Sequence, residues 1–193
     1  MKKYQLIYAD PPWKYNSIAN HKTRFRGGAI GHYPLMPMEQ IKALPVQEIV
    51  EDDAILFLWT TFPYLKQQLE VFEAWGFIYK TVAFTWIKLN SINGKPFFGV
   101  GYYSRSNAEC CMIGTRGKVI KPATNRVSSI ILAPRREHSQ KPDEARQRIE
   151  LLYPHLARIE LFARQRFSGW DTWGNEVESD IKLDASFIAQ RNY

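Results

Sequence analysis

Residues 6–13 read LIYADPPW, an apolar run that stops at an acidic, proline-rich motif. The apolar half, residues 6–9, predicts a buried β-strand. Pro11 and Pro12 have no backbone N–H and a fixed φ, and Pro11 also keeps Asp10 out of the helical conformation. The sequence therefore predicts a strand that ends in a stiff loop. Open α/β sheets bind their ligands at this end of their strands.

The motif from Asp10 to Trp13 presents hydrogen-bond acceptors on a rigid frame. The Asp10 carboxylate and the Pro11 carbonyl are suited to accept the two hydrogens of an amine such as the exocyclic amine of adenine. Accepting both hydrogens frees the nitrogen lone pair for in-line attack on a methyl group, which is catalysis by positioning and electrostatics. Trp13 offers a face on which an unstacked base can lie. The alternative interpretation is a strand followed by an ordinary Pro-Pro turn with a buried Trp.

Length and composition favour one globular domain with a polyanionic partner. The chain has 193 residues, of which 45% are hydrophobic and 14% aromatic, so it can bury a full core and is not disordered. Its 26 basic and 19 acidic residues leave a net charge of +7. A surplus of this sign favours nucleic acid as the partner.

Membrane insertion and disulfide bonding are not expected. No apolar stretch approaches the length of a membrane span, and residues 1–3 lead into a strand rather than into the core of a signal peptide. The two cysteines, Cys110 and Cys111, are adjacent, and neighbouring strand positions face opposite sides of a sheet. These features predict a protein of the reducing cytoplasm.

Strands and helices alternate along the rest of the chain. Strands are predicted at residues 54–59, 81–87, 108–113, 129–133 and 159–163. A helix is predicted over residues 63–75, with Gly76 as its stop, and a second helix begins with Pro142 as its first helical residue. This alternation predicts an α/β fold with a mostly parallel sheet in three layers, in which residues 159–163 are the last strand of the series and a central strand of the sheet. Asp10 and Arg164 then share the carboxyl edge of the sheet.

Three irregular stretches between these elements are basic. They are residues 14–34, which are long enough for a mobile flap, residues 88–106, in which cations alternate with aromatic residues, and residues 115–127. Cations and aromatics near a catalytic edge can bind phosphates and stack bases. The three stretches together therefore predict a nucleic-acid groove, while each one alone is equally compatible with an ordinary solvated loop.

Further motifs follow the Asp10 motif in order along the chain. They are His32-Tyr33-Pro34-Leu35-Met36, Phe57-Leu58-Trp59, Ser106-Asn107-Ala108-Glu109-Cys110, the block from His138 to Glu144, and Glu160-Leu161-Phe162-Ala163-Arg164 with Gly174-Asn175-Glu176. Together they resemble the adenine-N(6) methyltransferase family that includes the catalytic subunit of the eukaryotic mRNA adenosine methyltransferase. The compact chain is similar to the prokaryotic and phage members of that family.

The resemblance implies a Rossmann-like methyltransferase fold in which the catalytic motif precedes the cofactor motif. It implies S-adenosylmethionine as the cofactor. It also implies a single methyltransferase domain over residues 1–177, with inserted basic loops for nucleic-acid binding, and a C-terminal tail of unassigned role at residues 178–193.

The resemblance assigns the catalytic and acceptor-side residues. Asp10, Pro11, Pro12 and Trp13 match the catalytic loop, and Asp10 also lies beside the cofactor. Lys141 matches a lysine near both the target base and the amino-acid end of the cofactor, where an ammonium group suits a carboxylate. Positions on the acceptor side are matched by Tyr33 and Glu109.

The resemblance also assigns the cofactor contacts. Phe162 and Arg164 match positions that line the cofactor, with Arg164 near its ribose, although Phe162 is equally suited to the core. Asn175 matches a contact to the adenine of the cofactor. Glu176 replaces a glutamine of the mRNA enzyme, and a carboxylate can accept hydrogen bonds from both ribose hydroxyls.

Other features of the family or of competing chemistries are absent. Arg166-Phe167 replaces a His-Asn pair of the mRNA enzyme, so the ribose contacts of that pair do not transfer. The chain has no glycine-rich cofactor signature and no Walker loop. It also has no His-Glu-x-x-His helix and no CxxC pair, so no metal site is predicted. His138 is isolated and is interpreted as structural or phosphate-contacting.

Three functions are compatible with these residues. The first, which we favour, is methylation of adenine N6 in DNA, because the chain is minimal, lacks RNA-targeting modules and is similar to prokaryotic and phage proteins. The second is the same reaction on RNA. The third is a non-catalytic nucleic-acid-binding partner, for which loss of the Asp-Pro-Pro motif is the expected mark. We expect a cytoplasmic protein of a prokaryotic cell or a phage-infected host. A homodimer would help to span a duplex, but the sequence does not require one.

Overall fold

Strands and helices alternate through the part of the chain that the computed structural model describes, residues 2–14, 35–99, 101, 103–136 and 140–183. The strands are β1 (Tyr4–Ala9), β2 (Val50–Thr60), β3 (Ile78–Leu89), β4 (Ala108–Arg116), β5 (Ile130–Pro134), β6 (Arg158–Leu161) and β7 (Asp171–Trp173). The helices are α1 (Met38–Lys42), α2 (Leu65–Ala74) and α3 (Asp143–Leu152). Short 3-10 turns at Val46–Glu48 and Phe62–Tyr64 precede β2 and α2.

All seven of these strands form one sheet in the order β5-β3-β4-β2-β1-β6-β7. Strand β4 runs antiparallel to both of its neighbours, and every other neighbouring pair is parallel. No helix is present among the described residues between β3 and β4, so the chain reverses directly and β4 returns antiparallel. The prediction of a mostly parallel sheet is therefore confirmed.

Helices cover both faces of this sheet, as a three-layer α/β arrangement requires. On one face, Ile7 and Leu58 pack with Ile41 of α1 and Phe72 of α2. On the other face, Tyr8 of β1, Phe57 of β2 and Trp86 of β3 pack with Ala145 and Ile149 of α3. Strands β1 and β2 are buried on both sides, which explains their nearly continuous apolar sequence. The fold is a Rossmann-like three-layer sandwich, as predicted.

Several local predictions are confirmed. Gly76 has a φ of 79°, which glycine tolerates, and it follows α2 as the predicted stop. Cys110 and Cys111 are both buried and unbonded to each other, and they contribute to the cores on opposite faces of the sheet. As a separate finding, none of the helices in the described part of the chain combines the length and hydropathy that a membrane span needs.

Other local predictions are wrong. Pro142 has an extended ψ of 134° and is the N-cap of α3 rather than its first helical residue. Strand β6 ends at Leu161, two residues earlier than predicted, because Phe162 has a φ of 62° and turns the chain. Strand β6 is a central strand as predicted, since it pairs with β1 and β7, but it is not the last of the series because β7 follows it along the chain. The short β7 has no apolar run by which the sequence could reveal it.

The basic stretches lie at different edges of the sheet. Residues 15–34 and His138 lie outside the described residues. The described residues of 90–107 lie between the carboxyl end of β3 and the start of the antiparallel β4, which places them at the predicted catalytic edge. Residues 117–129 connect the end of β4 to the start of β5, and the backbone N–H of Lys118 donates to Asp53 near the start of β2. This third stretch therefore lies at the opposite edge, and its predicted place near the catalytic edge is wrong.

The first residues of the predicted tail pack onto the sheet. The Asp180 carboxylate accepts a hydrogen bond from the backbone N–H of Thr172 at 2.8 Å, and Leu183 is buried in the core. Arg166 donates to the same Asp180 side chain at 2.7 Å. The division of the chain at residue 177 stays a prediction.

Candidate active site

A cavity of about 300 Å³ opens at the carboxyl edge of the sheet. The strands β1, β2, β6 and β7 all end there, and the antiparallel β4 begins there. The loop or strand that follows each of these ends therefore contributes side chains to one space. Its described lining residues are Asp10, Pro11, Pro12, Trp13, Leu35, Met36, Gln40, Trp59, Thr60, Thr61, Glu109, Lys141, Phe162, Ala163, Arg164, Trp173, Gly174, Asn175 and Glu176.

The loop that follows β1 is held by its own backbone. The Pro11 carbonyl accepts a hydrogen bond from the N–H of Trp13 at 2.9 Å, and the Pro12 carbonyl accepts one from the N–H of Met36 at 2.8 Å. Each carbonyl has a second lone pair, so Pro11 can accept one more hydrogen. Because the two proline rings fix φ as well, the Asp10 carboxylate projects from a preorganised support.

Four side chains of alternating charge form a row along the cavity wall. Lys141 Nζ lies 2.8 Å from Asp10 Oδ2 and 3.3 Å from Glu109 Oε2. The other Glu109 oxygen, Oε1, accepts a hydrogen bond from Lys88 of β3. The row therefore runs from Asp10 in the cavity through Lys141 and Glu109 to Lys88 in the sheet. Its two acidic and two basic side chains balance each other in number.

Burial and the neighbouring charges shift the pKa values of three members of this row. Burial raises the pKa of the Asp10 carboxyl above its ordinary value, and the Lys141 ammonium group opposes that rise. Burial also favours a raised pKa for Glu109, but Lys141 and Lys88 together outweigh it and hold the pKa of Glu109 below its ordinary value. Burial tends to lower the pKa of Lys141, yet Asp10 and Glu109 raise it well above its ordinary value, so Lys141 stays charged.

The opposite part of the cavity is formed by the ends of β6 and β7. The Arg164 guanidinium donates from Nε to Glu176 Oε1 at 2.9 Å, and the Phe162 ring contacts Trp173 edge to face with a centroid separation of 5.2 Å. Gly174 lies where a Cβ atom would come within 2.1 Å of the Ala163 carbonyl oxygen. The absence of a side chain at Gly174 therefore allows the two chain segments to approach closely.

Every predicted site residue within the described part of the chain lines this one cavity. These residues are Asp10, Pro11, Pro12, Trp13, Glu109, Lys141, Phe162, Arg164, Asn175 and Glu176. Tyr33 lies outside the described residues. Trp13 is also part of the core and is only 6% exposed, so this residue both packs in the core and borders the cavity.

Sequence reasoning missed three polar residues of the cavity, namely Gln40 of α1, Thr60 at the end of β2, and Thr61. The buried Gln68 side chain accepts a hydrogen bond from the Thr61 N–H at 2.8 Å and so fixes that strand end. Thr60 and Thr61 directly follow the predicted strand at residues 54–59, and a strand end at the carboxyl edge was the signal that could have identified them.

The Arg166-Phe167 pair, which departs from the mRNA enzyme, has structural contacts. Arg166 Nη2 lies 2.7 Å from Asp180 Oδ1, and the Arg146 guanidinium lies 3.5 Å from the centroid of the Phe167 ring. Neither residue is among the described residues that line the cavity. The pair therefore fixes the connection after β6 rather than adding groups to the site.

Comparisons with known proteins agree with this site. The chain is similar to the type II methyltransferase M.MunI of a Mycoplasma species, with 37% identity over 197 residues that cover 95% of this chain and 81% of that protein. It is also similar to a probable N(6)-adenosine-methyltransferase MT-A70-like protein of Oryza sativa subsp. japonica, with 30% identity over 194 residues, 97% of this chain and 25% of that protein. Identity to the N(6)-adenosine-methyltransferase catalytic subunit METTL3 of Homo sapiens is 27% over 191 residues, 97% of this chain and 30% of that protein.

The chain thus spans most of M.MunI but less than a third of these two eukaryotic relatives. The profile of one family, described as MT-A70, matches residues 4–176, which include every predicted site residue from Asp10 to Glu176. With a matching family profile over most of its length, a sheet of the required kind and one cavity that gathers the motif residues, this chain belongs to the MT-A70 family.

Proposed function

We propose that this chain transfers a methyl group from S-adenosylmethionine to the exocyclic N6 amine of adenine in DNA. One observation carries the proposal: the acceptor carboxylate of Asp10 and the pair Arg164–Glu176 line the same cavity. The first group suits an amine that is to be methylated, and the second suits a ribose with two hydroxyls. A partner protein without activity would have no need for both groups in one space.

At the acceptor end, Asp10 and Pro11 orient the amine. The Asp10 carboxylate accepts one hydrogen of the amine and the free lone pair of the Pro11 carbonyl accepts the other. Holding both hydrogens directs the nitrogen lone pair away from the ring plane, so the protein supplies position and electrostatic preorganisation instead of a covalent intermediate. Burial raises the pKa of Asp10, and Lys141, 2.8 Å away, opposes that rise and so favours the ionised carboxylate.

At the other end, the chemistry of the lining residues fits S-adenosylmethionine. The Lys141 ammonium group suits the carboxylate of the cofactor's amino-acid end, Glu176 suits its ribose hydroxyls and Asn175 suits the polar edge of its adenine. Phe162, which has a φ of 62°, offers an apolar face. When bound, S-adenosylmethionine supplies a methyl group activated by a sulfonium.

DNA is the proposed acceptor and RNA is the second candidate. DNA is favoured because the relative that matches along most of both chains is named a type II methyltransferase. RNA follows instead from the N(6)-adenosine-methyltransferases, which match over 25% and 30% of their own lengths. The net charge of +7 suits either polyanion.

A transfer assay with labelled S-adenosylmethionine tests this function. Unmethylated duplex DNA, matched single-stranded DNA and matched RNA are offered separately, and the products are digested to nucleosides for identification. Label on N6 of deoxyadenosine supports the proposal, and label confined to adenosine in RNA supports the second candidate. Binding of the cofactor without any product would contradict both and favour a non-catalytic partner.

A further inference from the structure

Lys88 lies next to the cavity without lining it. It is the eleventh residue of β3, where its backbone pairs with Ala133 of the edge strand β5. Its ammonium group donates to Glu109 Oε1 and lies 5.3 Å from the centroid of the Trp86 ring. The described residues that line the cavity include Glu109 but not Lys88. Lys88 therefore acts on the site only through another side chain.

The predicted role of Lys88 was different. Its sequence neighbourhood grouped it with the basic stretch at residues 88–106 and suggested contact with phosphates. The Lys88 side chain is instead only 18% exposed and belongs to a strand. A lysine held this way is poorly placed to bind a passing phosphate and well placed to fix a carboxylate.

The contacts of Glu109 make the position of Lys88 consequential. The Glu109 side chain is 15% exposed and has one carboxylate oxygen on each of two lysines, Oε1 on Lys88 and Oε2 on Lys141. While Lys88 holds Oε1, Lys141 lies 3.3 Å from Oε2 and closer, at 2.8 Å, to Asp10. The geometry of Asp10 thus depends on where Glu109 is held.

We propose that Lys88 is a positioning residue for methyl transfer, which holds Glu109 so that Lys141 stays on Asp10. This inference rests on the proposed methyltransferase function and adds a residue to it. Without the Lys88 ammonium group, the buried Glu109 oxygen has two ways to recover a partner. Glu109 can take a proton, which weakens its hold on Lys141, or it can turn both oxygens toward Lys141 and draw it from Asp10. Either change displaces the group that aligns the acceptor carboxylate.

The effect falls chiefly on the transfer step and less on cofactor binding. Lys88 has no group in the cavity, so its removal leaves Phe162, Arg164, Asn175 and Glu176 unchanged and reaches the proposed cofactor contacts only through Lys141. A misaligned Asp10 lowers kcat, because Asp10 orients the acceptor amine for the transfer step. The expected signature is therefore a fall in kcat that is much larger than the change in the KM for S-adenosylmethionine.

A pH profile gives a second signature. Glu109 is faced by the ammonium groups of Lys88 and Lys141, by the Asp10 carboxylate beyond Lys141 and by the neighbouring Cys110 thiol. Of these, the two ammonium groups hold the pKa of Glu109 below its ordinary value. Loss of Lys88 removes one of the two and raises that pKa, so Glu109 takes a proton at a higher pH. The acid limb of the kcat profile should move to higher pH accordingly.

The test compares three variants with the wild type in the transfer assay on unmethylated duplex DNA. In Lys88→Met we expect kcat to fall about tenfold or more, because a hydrogen bond to a charged group is lost, with KM for S-adenosylmethionine within about twofold. Lys88→Arg keeps the charge and should recover most of kcat. Lys80→Met makes the same substitution at an exposed position of the same strand and should behave like the wild type. Thermal unfolding of each variant monitors the fold.

The outcomes separate this inference from the proposed function. A wild-type chain that transfers no methyl group refutes the function, and the inference with it. An active wild type with a Lys88→Met variant that matches Lys80→Met in kcat and pH profile refutes the inference alone. Where Lys88→Met fails to fold, Lys88→Gln against Lys88→Arg decides: equal kcat values overturn the positioning role, and recovery only with arginine supports it.

Discussion

At the residue scale, burial and a neighbouring ammonium group shift the pKa of Asp10 in opposite directions. Burial raises its pKa and favours the neutral acid, while Lys141 at 2.8 Å favours the carboxylate that the reaction needs. The same lysine is held by Glu109, so the charge state of Asp10 is set by a row of side chains and not by one ion pair. A single buried carboxylate without this row would be a poor acceptor near neutral pH.

Replacement of Asp10 by alanine should abolish methyl transfer. The variant removes the proposed acceptor of the amine but leaves the proposed cofactor contacts at Phe162 and Glu176, so the dissociation constant for S-adenosylmethionine should stay within about tenfold. Equilibrium binding of the cofactor and the initial rate of transfer give the two numbers. Asp10→Asn, which keeps the shape of the side chain, serves as the control and should also be inactive. Full activity in either variant would rule out the proposed acceptor.

Substitutions at Trp13 distinguish stacking of its ring on the target base from packing of its ring in the core. Its ring lines the cavity but is 6% exposed, and the residue forms an isolated β-bridge with Met36. Trp13→Ala should lower the free energy of unfolding by about 3–5 kcal/mol, as large-to-small core substitutions do. If the ring also stacks the target base, Trp13→Phe should retain much more activity per folded molecule than Trp13→Ala. Denaturant unfolding and transfer rates measure both, and equal activity losses would favour packing alone.

The identity of most site residues could be predicted from the sequence, and their interactions could not. The motif at Asp10 and the later motifs indicated ten residues that line one cavity. The contacts of Lys88 with Glu109 and of Gln68 with Thr61 join residues 21 and 7 positions apart, with no local pattern to announce them. The first contact is set by the register of β3 against β4 and the second by the position of α2 after β2, and both depend on tertiary packing.

At the scale of elements, the ends of β6 and β7 form the proposed cofactor side of the cavity. The Ala163 N–H donates to the Trp173 carbonyl at 2.9 Å, and Gly174 follows with no room for a Cβ atom. In Gly174→Ala the new methyl group meets the Ala163 backbone and must separate the two segments. We expect a loss of about 1–3 kcal/mol in the free energy of unfolding, as for other overpacked sites, and cofactor binding weaker by about tenfold.

Gly169 provides the matched control for this substitution. It lies between β6 and β7 with a φ of 79°, and a Cβ atom there would meet nothing within 4 Å. Gly169→Ala should therefore lose about 1–2 kcal/mol through backbone strain and leave cofactor binding unchanged. Thermal unfolding and titration with S-adenosylmethionine distinguish the two variants. Unchanged affinity in Gly174→Ala would show that this close approach does not shape the cofactor side.

The elements themselves were predictable where their sequence pattern is strong. Strands β1 and β2 have long apolar runs, and α2 has apolar residues at helical spacing, so each was recognised. Strand β7, with three residues, and α1, with five, are too short to display a period. Both elements are stabilised by their neighbours. Strand β7 pairs with β6, and α1 is held by Trp75 at the end of α2, whose Nε1 donates to the Ile41 carbonyl at 2.9 Å.

At the scale of the whole molecule, the topology divides the positive charge between two edges. Because β4 is antiparallel, the described residues of 90–107 lie at the edge that holds the cavity, and residues 117–129 lie at the opposite edge. The first group contains the exposed Phe98, Tyr103 and Arg105. A nucleic acid with its target base in the cavity would contact this group and would lie far from the second.

Salt dependence tests this division of charge. The KM for DNA should rise by about tenfold or more between about 50 and 200 mM salt, because phosphate contacts release counterions, while binding of S-adenosylmethionine to the free protein should change little. Arg105→Met, at the cavity edge, should reduce the slope of log KM against log salt by about one if this side chain contacts a phosphate. Lys121→Met, at the opposite edge, removes the same charge and should leave the slope unchanged. Slopes reduced equally in the two variants would mean that net charge alone governs binding. A slope reduced only in Lys121→Met would place the DNA at the opposite edge.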